Sequence, residues 1–226
     1  MPRIRGHLTE KPDGPTAWPI LNGLLFGDQS IGGHDVSVRT DVLPLDWAGI
    51  FGCVAPMSLE IGFNRGRFLT SLAAQRPEEN FVGIEIRRRY CWRLAQLMAK
   101  DAQEPGNLRI IWADAKAVSR VIFGESVLDN VYVTFPDPWW KKRHAKRRLV
   151  DTRFGAELAG LLKPGGILWV KTDVEPLALE IREALAAQDN LSAPEPFEQD
   201  ELPLTHRETN CIRDGLPIWR FAVTRL

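Results

Sequence analysis

The sequence predicts an α/β fold in which a mostly parallel central sheet carries helices on both faces. Between Met57 and Gln188, short apolar runs alternate with amphipathic segments five times. This alternation is typical of parallel strands joined by right-handed helical crossovers. An acidic residue lies at or just after the end of every predicted strand, and such sheets bind ligands at the carboxyl ends of their strands, so the acids are expected to form one rim. They are Glu60, Glu85, Asp114, Asp137 and Asp173.

Strands are predicted where β-branched and other apolar residues run together, and helices where apolar residues recur on one face. The predicted strands are 57–62, 81–86, 108–113, 128–135 and 167–172, with two weaker candidates around 217–223. The predicted helices are 46–51, 67–75, 87–102, 114–123, 151–162 and 175–188. Lys163-Pro164-Gly165-Gly166 is predicted as a turn before the fifth strand, because glycine and proline interrupt regular elements.

The chain of 226 residues fits one domain preceded by an extension. Residues 1–45 are rich in glycine and proline and are expected to form a partly ordered arm, with a disordered tail as the alternative. Residues 46–226 are expected to form a single domain. The 29 basic and 29 acidic residues give a formal net charge of zero, so a strongly basic segment is a local patch.

The three cysteines, Cys53, Cys91 and Cys211, are scattered and odd in number. They have neither metal-ligand spacing nor the pairing of a disulfide framework, so no metal is expected and a reducing compartment is favoured. We find no secretory signal and no apolar run long enough to span a bilayer. A cytoplasmic protein without membrane association is therefore expected.

The segment after the first strand, Glu60-Ile61-Gly62-Phe63-Asn64-Arg65-Gly66, places glycines where a backbone turns tightly beside a ligand. It lacks the third glycine of the dinucleotide fingerprint, and a purely structural turn is the alternative. Glu85, at the end of the second strand, is placed to accept hydrogen bonds from ribose hydroxyls. Asp114 is placed to accept from an adenine amino group or, alternatively, to cap the following helix. Together these positions favour an adenosine-containing ligand.

Two adenosine-containing ligands fit this pattern. NAD suits a glycine loop that binds a pyrophosphate, whereas S-adenosylmethionine carries a cationic sulfonium and ammonium and no phosphate. A carboxylate inside the glycine turn repels an anion and attracts a cation, so Glu60 favours S-adenosylmethionine. An oxidoreductase also requires a proton-transfer residue, and the sequence contains no Tyr-x-x-x-Lys pairing.

The stretch 131–148 joins a predicted buried strand to an acid, an aromatic pair and a basic run. Pro136-Asp137-Pro138 holds one carboxylate rigidly, since proline ends a strand ladder and restricts the backbone. Trp139-Trp140 follows, either as core residues or as a stacking surface for a base. Six of the eight residues 141–148 are Lys or Arg, which is typical of a phosphate-binding patch, with a solvated face as the alternative. These features predict a site that handles a nucleic-acid base.

Taken together, these motifs resemble those of bacterial tRNA (guanine-N7)-methyltransferases over about residues 45–223. The most specific part is Phe135-Pro136-Asp137-Pro138-Trp139 with the basic run, whereas Leu162-Lys163-Pro164-Gly165-Gly166 is common to many methyltransferases. The other matches are Glu60-Ile61-Gly62, Gly83-Ile84-Glu85, Asp114-Ala115, Thr172-Asp173 and Leu204-Thr205-His206-Arg207-Glu208. The resemblance implies a Rossmann-like methyltransferase fold for 46–226, S-adenosylmethionine as donor, and a guanine in the tRNA variable loop (guanine-46) as acceptor.

The resemblance also implies roles for single residues. Asp137 takes the position of the catalytic aspartate and is also an implied donor contact. The other implied donor contacts are Glu60, Gly62, Glu85 and Asp114. The implied substrate and tRNA contacts are Lys141, Arg143, His144, Lys146, Arg147, Arg148, Asp173, Thr205, His206, Arg207 and Glu208. The expected partner is tRNA, with no obligatory protein partner and no metal.

The sequence departs from the family pattern in three places. Asn64 stands where glycine is usual, so the donor loop must bend differently or hold Asn64 at positive φ, which asparagine tolerates better than most residues. Trp140 replaces what is often a smaller or polar residue. The arm has only Arg3 and Arg5 of an expected arginine-rich opening.

Guanine N7 carries an in-plane lone pair and no proton, so its methylation requires alignment and exclusion of water and no strong general base. Asp137 is expected to position the guanine through its N1–H and N2–H₂ edge and to favour the cationic product. Asp173 and Glu208 are alternatives for either role, and Trp139 is an expected stacking partner of the unstacked base. The alternative functions are methylation of another RNA or DNA base, NAD-dependent oxidoreduction and non-catalytic RNA binding.

Overall fold

The computed structural model describes residues 43–98, 106–198 and 202–226. Only residues 43–45 of the predicted arm fall within these ranges, so the prediction for the arm lies outside the described residues. The part of the predicted helix 87–102 that follows Met98 also lies outside the described residues. Within the described ranges, no helix is both long and apolar enough to cross a membrane.

Strands and helices alternate along the described chain as the apolar periodicity predicts. The helices are α1 (Trp47–Phe51), α2 (Arg67–Gln75), α3 (Arg88–Met98), α4 (Ala115–Phe123), α5 (Thr152–Leu161), α6 (Glu175–Ala186) and α7 (His206–Arg213), with a 3-10 helix at Lys142–Arg147. The strands are β1 (Met57–Ile61), β2 (Asn80–Glu85), β3 (Leu108–Trp112), β4 (Leu128–Thr134), β5 (Leu162–Thr172), β6 (Glu195–Pro196) and β7 (Trp219–Thr224).

The strands form one seven-stranded sheet in the order β3-β2-β1-β4-β5-β7-β6. Strands β1 to β5 pair in parallel, whereas β7 runs antiparallel to both β5 and β6. The strand order reverses between β1 and β4, and such a switch point opens a crevice at the carboxyl ends of the two strands. The mostly parallel sheet predicted from the sequence is confirmed.

Apolar layers cover the sheet on both faces, as its predicted architecture requires. One layer joins α4, α5 and α6 to the sheet through residues that include Val118, Phe154 and Ile181. The other joins α2 and α3 to the opposite face through residues that include Leu69 and Leu94. Helix α2 packs closely on β2 because Gly83 has no side chain: a β-carbon there would lie 2.4 Å from Leu69 Cδ2.

In the last third of the chain, the secondary structure differs from the sequence prediction. The predicted turn at residues 163–166 is wrong, because β5 already begins at Leu162, which pairs with Leu128. The ladder then resumes between Asn130 and Ile167, so the four residues form an irregularity inside one strand. Residues 217–223 contribute to a single strand, β7, instead of two.

Helix α7 is absent from the sequence prediction. Few apolar residues mark its buried face, which contains Glu208 and Cys211. Its start is set by a capping box, in which the Thr205 side chain accepts from the Glu208 backbone N–H and the Glu208 side chain accepts from the Thr205 backbone N–H. The T-x-x-E spacing is therefore the signal in the sequence that marks this helix.

Candidate active site

A cavity of about 850 Å³ opens at the carboxyl ends of β1, β2, β3 and β4. Its wall contains four of the implied donor contacts, which lie at the ends of four different strands or just after them. They are Gly62, Glu85, Asp114 and Asp137. The sheet order brings these residues together although they are far apart along the chain, as expected where parallel strands end at one edge.

Glu85 is buried in this wall, and both of its carboxylate oxygens accept backbone hydrogen bonds. The Asn64 N–H donates to Oε2 at 2.9 Å, and the Arg87 N–H donates to Oε1 at 2.8 Å. These bonds tie the loop after β1 to the end of β2. Each carboxylate oxygen has a second lone-pair site, so Glu85 can hold the loop and still accept from a ligand hydroxyl.

The loop after β1 turns through residues of positive φ, with Gly62 at 80° and Asn64 at 52°. Of the two alternatives for this loop, the structure shows the one in which Asn64 adopts positive φ. A β-carbon on Gly62 would meet no protein atom within 4 Å, so open space lies beside this backbone. Asp114 caps α4 by accepting from the Lys116 N–H at 3.0 Å, which confirms the helix-cap alternative, and it also lines the cavity.

Asp137 lies half-exposed at the edge of the larger cavity. Its Oδ1 accepts from the Trp139 backbone N–H at 3.2 Å, and its Oδ2 lies 3.4 Å from the Arg87 guanidinium. The loop around it bends sharply, because Phe135 has φ 50° and Trp139 has φ 44°. Residues other than glycine rarely adopt this conformation, and it persists where surrounding structure imposes it, commonly at ligand sites.

A second cavity, of about 370 Å³, adjoins the first. The two cavities share wall residues from the loops after β1 and β4. These are Gly62, Asn64, Thr134, Phe135 and Pro136. Beyond Pro136, successive residues of this loop line different cavities: Asp137 lines the larger cavity and Pro138 lines the smaller one. The loop after β4 therefore separates two adjoining chambers.

Glu60 lines the smaller cavity, whereas the resemblance implies a donor contact. It is 1% exposed. Its Oε1 accepts from the Thr134 hydroxyl at 2.9 Å, and its buried Oε2 has no hydrogen-bond partner among the described residues. Burial raises the pKa of Glu60 to about 8, with the Glu85 charge adding to the rise and Thr134 and Lys171 opposing it. At neutral pH the protein by itself therefore keeps most of this carboxyl protonated.

A buried charge cluster fixes the segment Thr205–Glu208. Glu208 is fully buried, with Oε2 3.0 Å from Lys171 Nζ and Oε1 3.0 Å from Arg220 Nε. Both oxygens of Glu208 are engaged by cations, and the side chain lines neither cavity. Glu208 therefore holds α7 against β5 and β7, and its contact with the substrate stays a prediction.

The other members of this segment line the smaller cavity together with Asp173. Arg207 Nε donates to Asp173 Oδ2 at 3.0 Å, and Arg65 Nη1 lies 3.4 Å from His206 Nε2. Among the residues of this wall that sequence reasoning missed are Arg65, Arg67 and Asn210. The only feature of the sequence that points to Arg65 as a site residue is its position in the glycine turn. Asn210 belongs to helix α7, which the sequence analysis did not predict.

The basic run forms a 3-10 helix beside the larger cavity, with Lys146 and Arg147 in the cavity wall. The Arg147 guanidinium lies 5.1 Å from the centroid of the Trp139 ring, and His144 meets the same ring edge-on at 5.6 Å. The exposed members are Lys141, Arg143, Lys146 and Arg147.

Arg148 differs from the other cations of the basic run. Its Nε donates to the Pro138 carbonyl at 3.0 Å, and its guanidinium pairs with Glu180. These bonds give Arg148 a part in holding the loop after β4, and its contact with tRNA stays a prediction.

Comparisons with known proteins agree with this arrangement. A family model described as "Putative methyltransferase" matches residues 54–221. A curated tRNA (guanine-N(7)-)-methyltransferase from Cupriavidus pinatubonensis is 41% identical over 182 residues, covering 78% of this chain and 70% of the relative. One of the same name from Polaromonas sp. is 39% identical over 193 residues, covering 81% of this chain and 76% of the relative.

Solved structures with a similar fold are also methyltransferases. The 16S rRNA methyltransferase KamB has a TM-score of 0.57 at 15% identity, covering 85% of this chain and 97% of that one. A SAM-dependent O-methyltransferase from Thermotoga maritima has a TM-score of 0.54 at 15% identity, covering 76% of this chain and 60% of that one. At such identities the likeness concerns the fold alone, which is the Rossmann-like methyltransferase fold.

The buried proton on Glu60 leads to a prediction about stability. The folded protein holds this proton up to about pH 8, whereas the unfolded chain releases it near its ordinary pKa of 4.5. The stability that Glu60 contributes is therefore fully present below the unfolded pKa and is lost as pH rises through the folded pKa. Glu60→Gln, which cannot ionise, is expected to remove this loss.

We expect the unfolding free energy of the wild type to fall relative to that of Glu60→Gln, by up to about 1.4 kcal/mol per pH unit across this window. Urea unfolding of both ligand-free proteins at a series of pH values measures the difference. All other titrating groups are common to the two proteins. Parallel dependences of the unfolding free energy on pH would therefore contradict a raised pKa of Glu60.

Proposed function

The chain belongs to the tRNA (guanine-N(7)-)-methyltransferase family, and on this premise we propose that it transfers the methyl group of S-adenosylmethionine to N7 of a guanine in the tRNA variable loop, guanine-46. The observation that carries the proposal is the pair of adjoining cavities at the switch point of the sheet. A donor and an acceptor that occupy neighbouring chambers can react where the chambers adjoin, provided that N7, the methyl carbon and the sulfur are aligned and in contact.

The larger cavity suits the donor. Glu85 is placed to accept from the ribose hydroxyls and Asp114 from the adenine amino group, while Gly62 leaves space for the ligand beside its backbone. The bound donor supplies an electrophilic methyl group on a cationic sulfur. The Asp137 carboxylate lines the same wall and can interact favourably with a cationic ligand, whereas Glu60, with its orphaned Oε2, lines the adjoining smaller cavity.

The smaller cavity suits the acceptor base. Asp173 lines it and is held by Arg207, so its carboxylate is placed to accept from the N1–H and N2–H₂ edge of a guanine. Thr205 and His206 complete this wall, and Arg65 and Arg67 add positive charge for the phosphates of the nucleotide. Adenine lacks that pair of donors, so this edge distinguishes guanine.

Asp137 remains the candidate catalytic residue. The prolines on either side restrict its backbone, and the Trp139 N–H and Arg87 hold its carboxylate between the chambers. The N7 lone pair is already available for attack, so the residue is not required to remove a proton. Its negative charge favours the cationic guanine that forms. Because a lone pair serves as nucleophile, we propose that no metal takes part.

The exposed cations of the basic run are proposed to bind the tRNA backbone. Lys141, Arg143, Lys146 and Arg147 extend from the loop after β4, so a phosphate chain bound there passes the mouth of the site. We propose that the protein acts in the cytoplasm on tRNA, without an obligatory protein partner.

The central experiment locates the methyl group. We expect the protein, given labelled S-adenosylmethionine and a tRNA transcript, to label N7 of the variable-loop guanine, because this unpaired purine can be presented to the smaller cavity. A transcript with adenine at that position is the matched control and is expected to remain unlabelled. Labelling at another base, or of both transcripts alike, would contradict the proposed acceptor.

Asp137→Ala is expected to lower kcat on the order of 100-fold while leaving the Kd for tRNA nearly unchanged, because the carboxylate acts on the developing charge and not on the phosphates. Single-turnover methylation and filter binding measure the two quantities. Glu125→Ala, which removes an exposed carboxylate on the loop after α4, is the matched control. Near-normal methylation by Asp137→Ala would overturn the catalytic assignment.

The double substitution Arg143→Gln and Lys146→Gln is expected to weaken tRNA binding and to flatten the dependence of log K on log salt by about 0.7 for each lost phosphate contact. Arg120→Gln, which removes an exposed cation on α4, is expected to leave the slope unchanged. Arg148→Gln is expected to lower Tm instead, because Arg148 holds the loop through Pro138 and Glu180. An unaltered slope in the double variant would exclude the basic run from the interface.

A further inference from the structure

The indole of Trp140 is 72% exposed. It is the only aromatic among the large apolar side chains that the described part of the chain leaves exposed. Burial of so large a ring is normally favourable, and an exposed tryptophan beside a cavity is a typical contact site for a ligand. The ring lines the smaller cavity, next to Pro138 and across from residues of α7. Core packing is therefore not its role.

The backbone of the loop directs the two neighbouring tryptophans to different chambers. Trp139 lines the larger cavity and Trp140 the smaller one, with Trp139 itself at φ 44°. A positive φ at a bulky residue persists only where the surroundings impose it. Here the Trp139 N–H is held by Asp137 and the Pro138 carbonyl by Arg148. The orientation of Trp140 is thus built into the loop.

The two rings differ in their protein contacts. The Trp139 ring is contacted edge-on by His144 and over one face by Arg147, so part of its surface is already engaged by protein groups. Within the described residues, the Trp140 ring has neither an aromatic nor a cationic partner. The sequence analysis expected Trp139 to stack on the substrate base. The contacts of the two rings favour Trp140 for this role.

The chemistry around Trp140 favours a nucleotide as its partner. The smaller cavity combines the exposed aromatic ring with the cations Arg65, Arg67 and Arg207 and with the acceptor Asp173. A nucleotide offers the matching set, which is a flat base, an anionic phosphate and amino donors on the base edge. An apolar peptide offers no phosphate or amino groups to match these charges.

We propose that Trp140 stacks on the target guanine and holds it in the smaller cavity while Asp173 contacts its edge. The assignment rests on the proposed function and adds a residue that positions the acceptor. A base drawn out of the tRNA loses its stacking partners there, and the indole replaces one of them. Trp140 therefore acts on binding and alignment of the acceptor and leaves donor binding unaffected.

The test compares Trp140→Ala and Trp140→Phe with Trp92→Ala, which removes a partly buried tryptophan that lines neither cavity. We expect Trp140→Ala to raise the KM for tRNA about tenfold, at an unchanged Kd for S-adenosylmethionine, and Trp140→Phe to recover most of the loss because a phenyl ring still stacks. Trp92→Ala is expected to match the wild type. Circular dichroism checks that every variant is folded.

A fluorescent base identifies the stacked nucleotide. A transcript that carries, in place of the target guanine, a fluorescent guanine analogue with the N1–H and N2–H₂ donors retained is expected to show quenched emission on the wild type and brighter emission on Trp140→Ala. The same label one nucleotide away is expected to respond equally to both proteins, and a response at that position alone would overturn the assignment to the target base.

The outcomes separate this assignment from the proposed function. Equal KM values for Trp140→Ala and wild type, with the wild type methylating guanine N7, would overturn the stacking role and leave the function intact. Absence of N7 methylation by the wild type would overturn the function and the stacking role together.

Discussion

The parallel pairing of β1 with β4 is the interaction on which the candidate active site depends. A ladder from Ser58 opposite Asn130 to Ile61 opposite Val133 holds together two strands that are distant in sequence. The glycine turn and the Pro136-Asp137-Pro138 loop follow these strands directly and provide the wall that both cavities share. The spacing of the chambers is therefore set by main-chain hydrogen bonds in the centre of the sheet, which is the kind of rigid support that alignment requires.

Buried ionisable groups lie beside and within the wall of the smaller cavity. Glu208 binds Lys171 and Arg220, and this cluster joins α7 to two strands of the sheet. A buried pair adds little net stability, because desolvation of its charges offsets their attraction, yet removal of one partner costs about 3–5 kcal/mol. The cluster therefore fixes where α7 lies more than it stabilises the domain. Among the described residues Glu60 has no hydrogen-bond partner for Oε2, and burial raises its pKa to about 8.

Several residues of the site also support the local fold. Glu85 accepts two backbone N–H groups, and Asp114 caps α4 while it lines the larger cavity. A carboxylate can do both, because each oxygen carries more than one lone-pair site. Structural and ligand interpretations of such acids are thus compatible, although the sequence presents them as alternatives. Loss of either acid would disturb the backbone and the ligand contacts together.

The sequence by itself determined the features that neighbouring residues encode. The apolar periodicity located β1 to β4 and the helices α1 to α6, and the proline-flanked acid and the positive φ of Asn64 followed from local backbone chemistry. The tertiary structure decided which residues meet. The burial of Glu208, the proton on Glu60 and the separation of Trp139 from Trp140 depend on partners supplied by other elements of the sheet. Burial and long-range pairing arise from strand order, which no local pattern records.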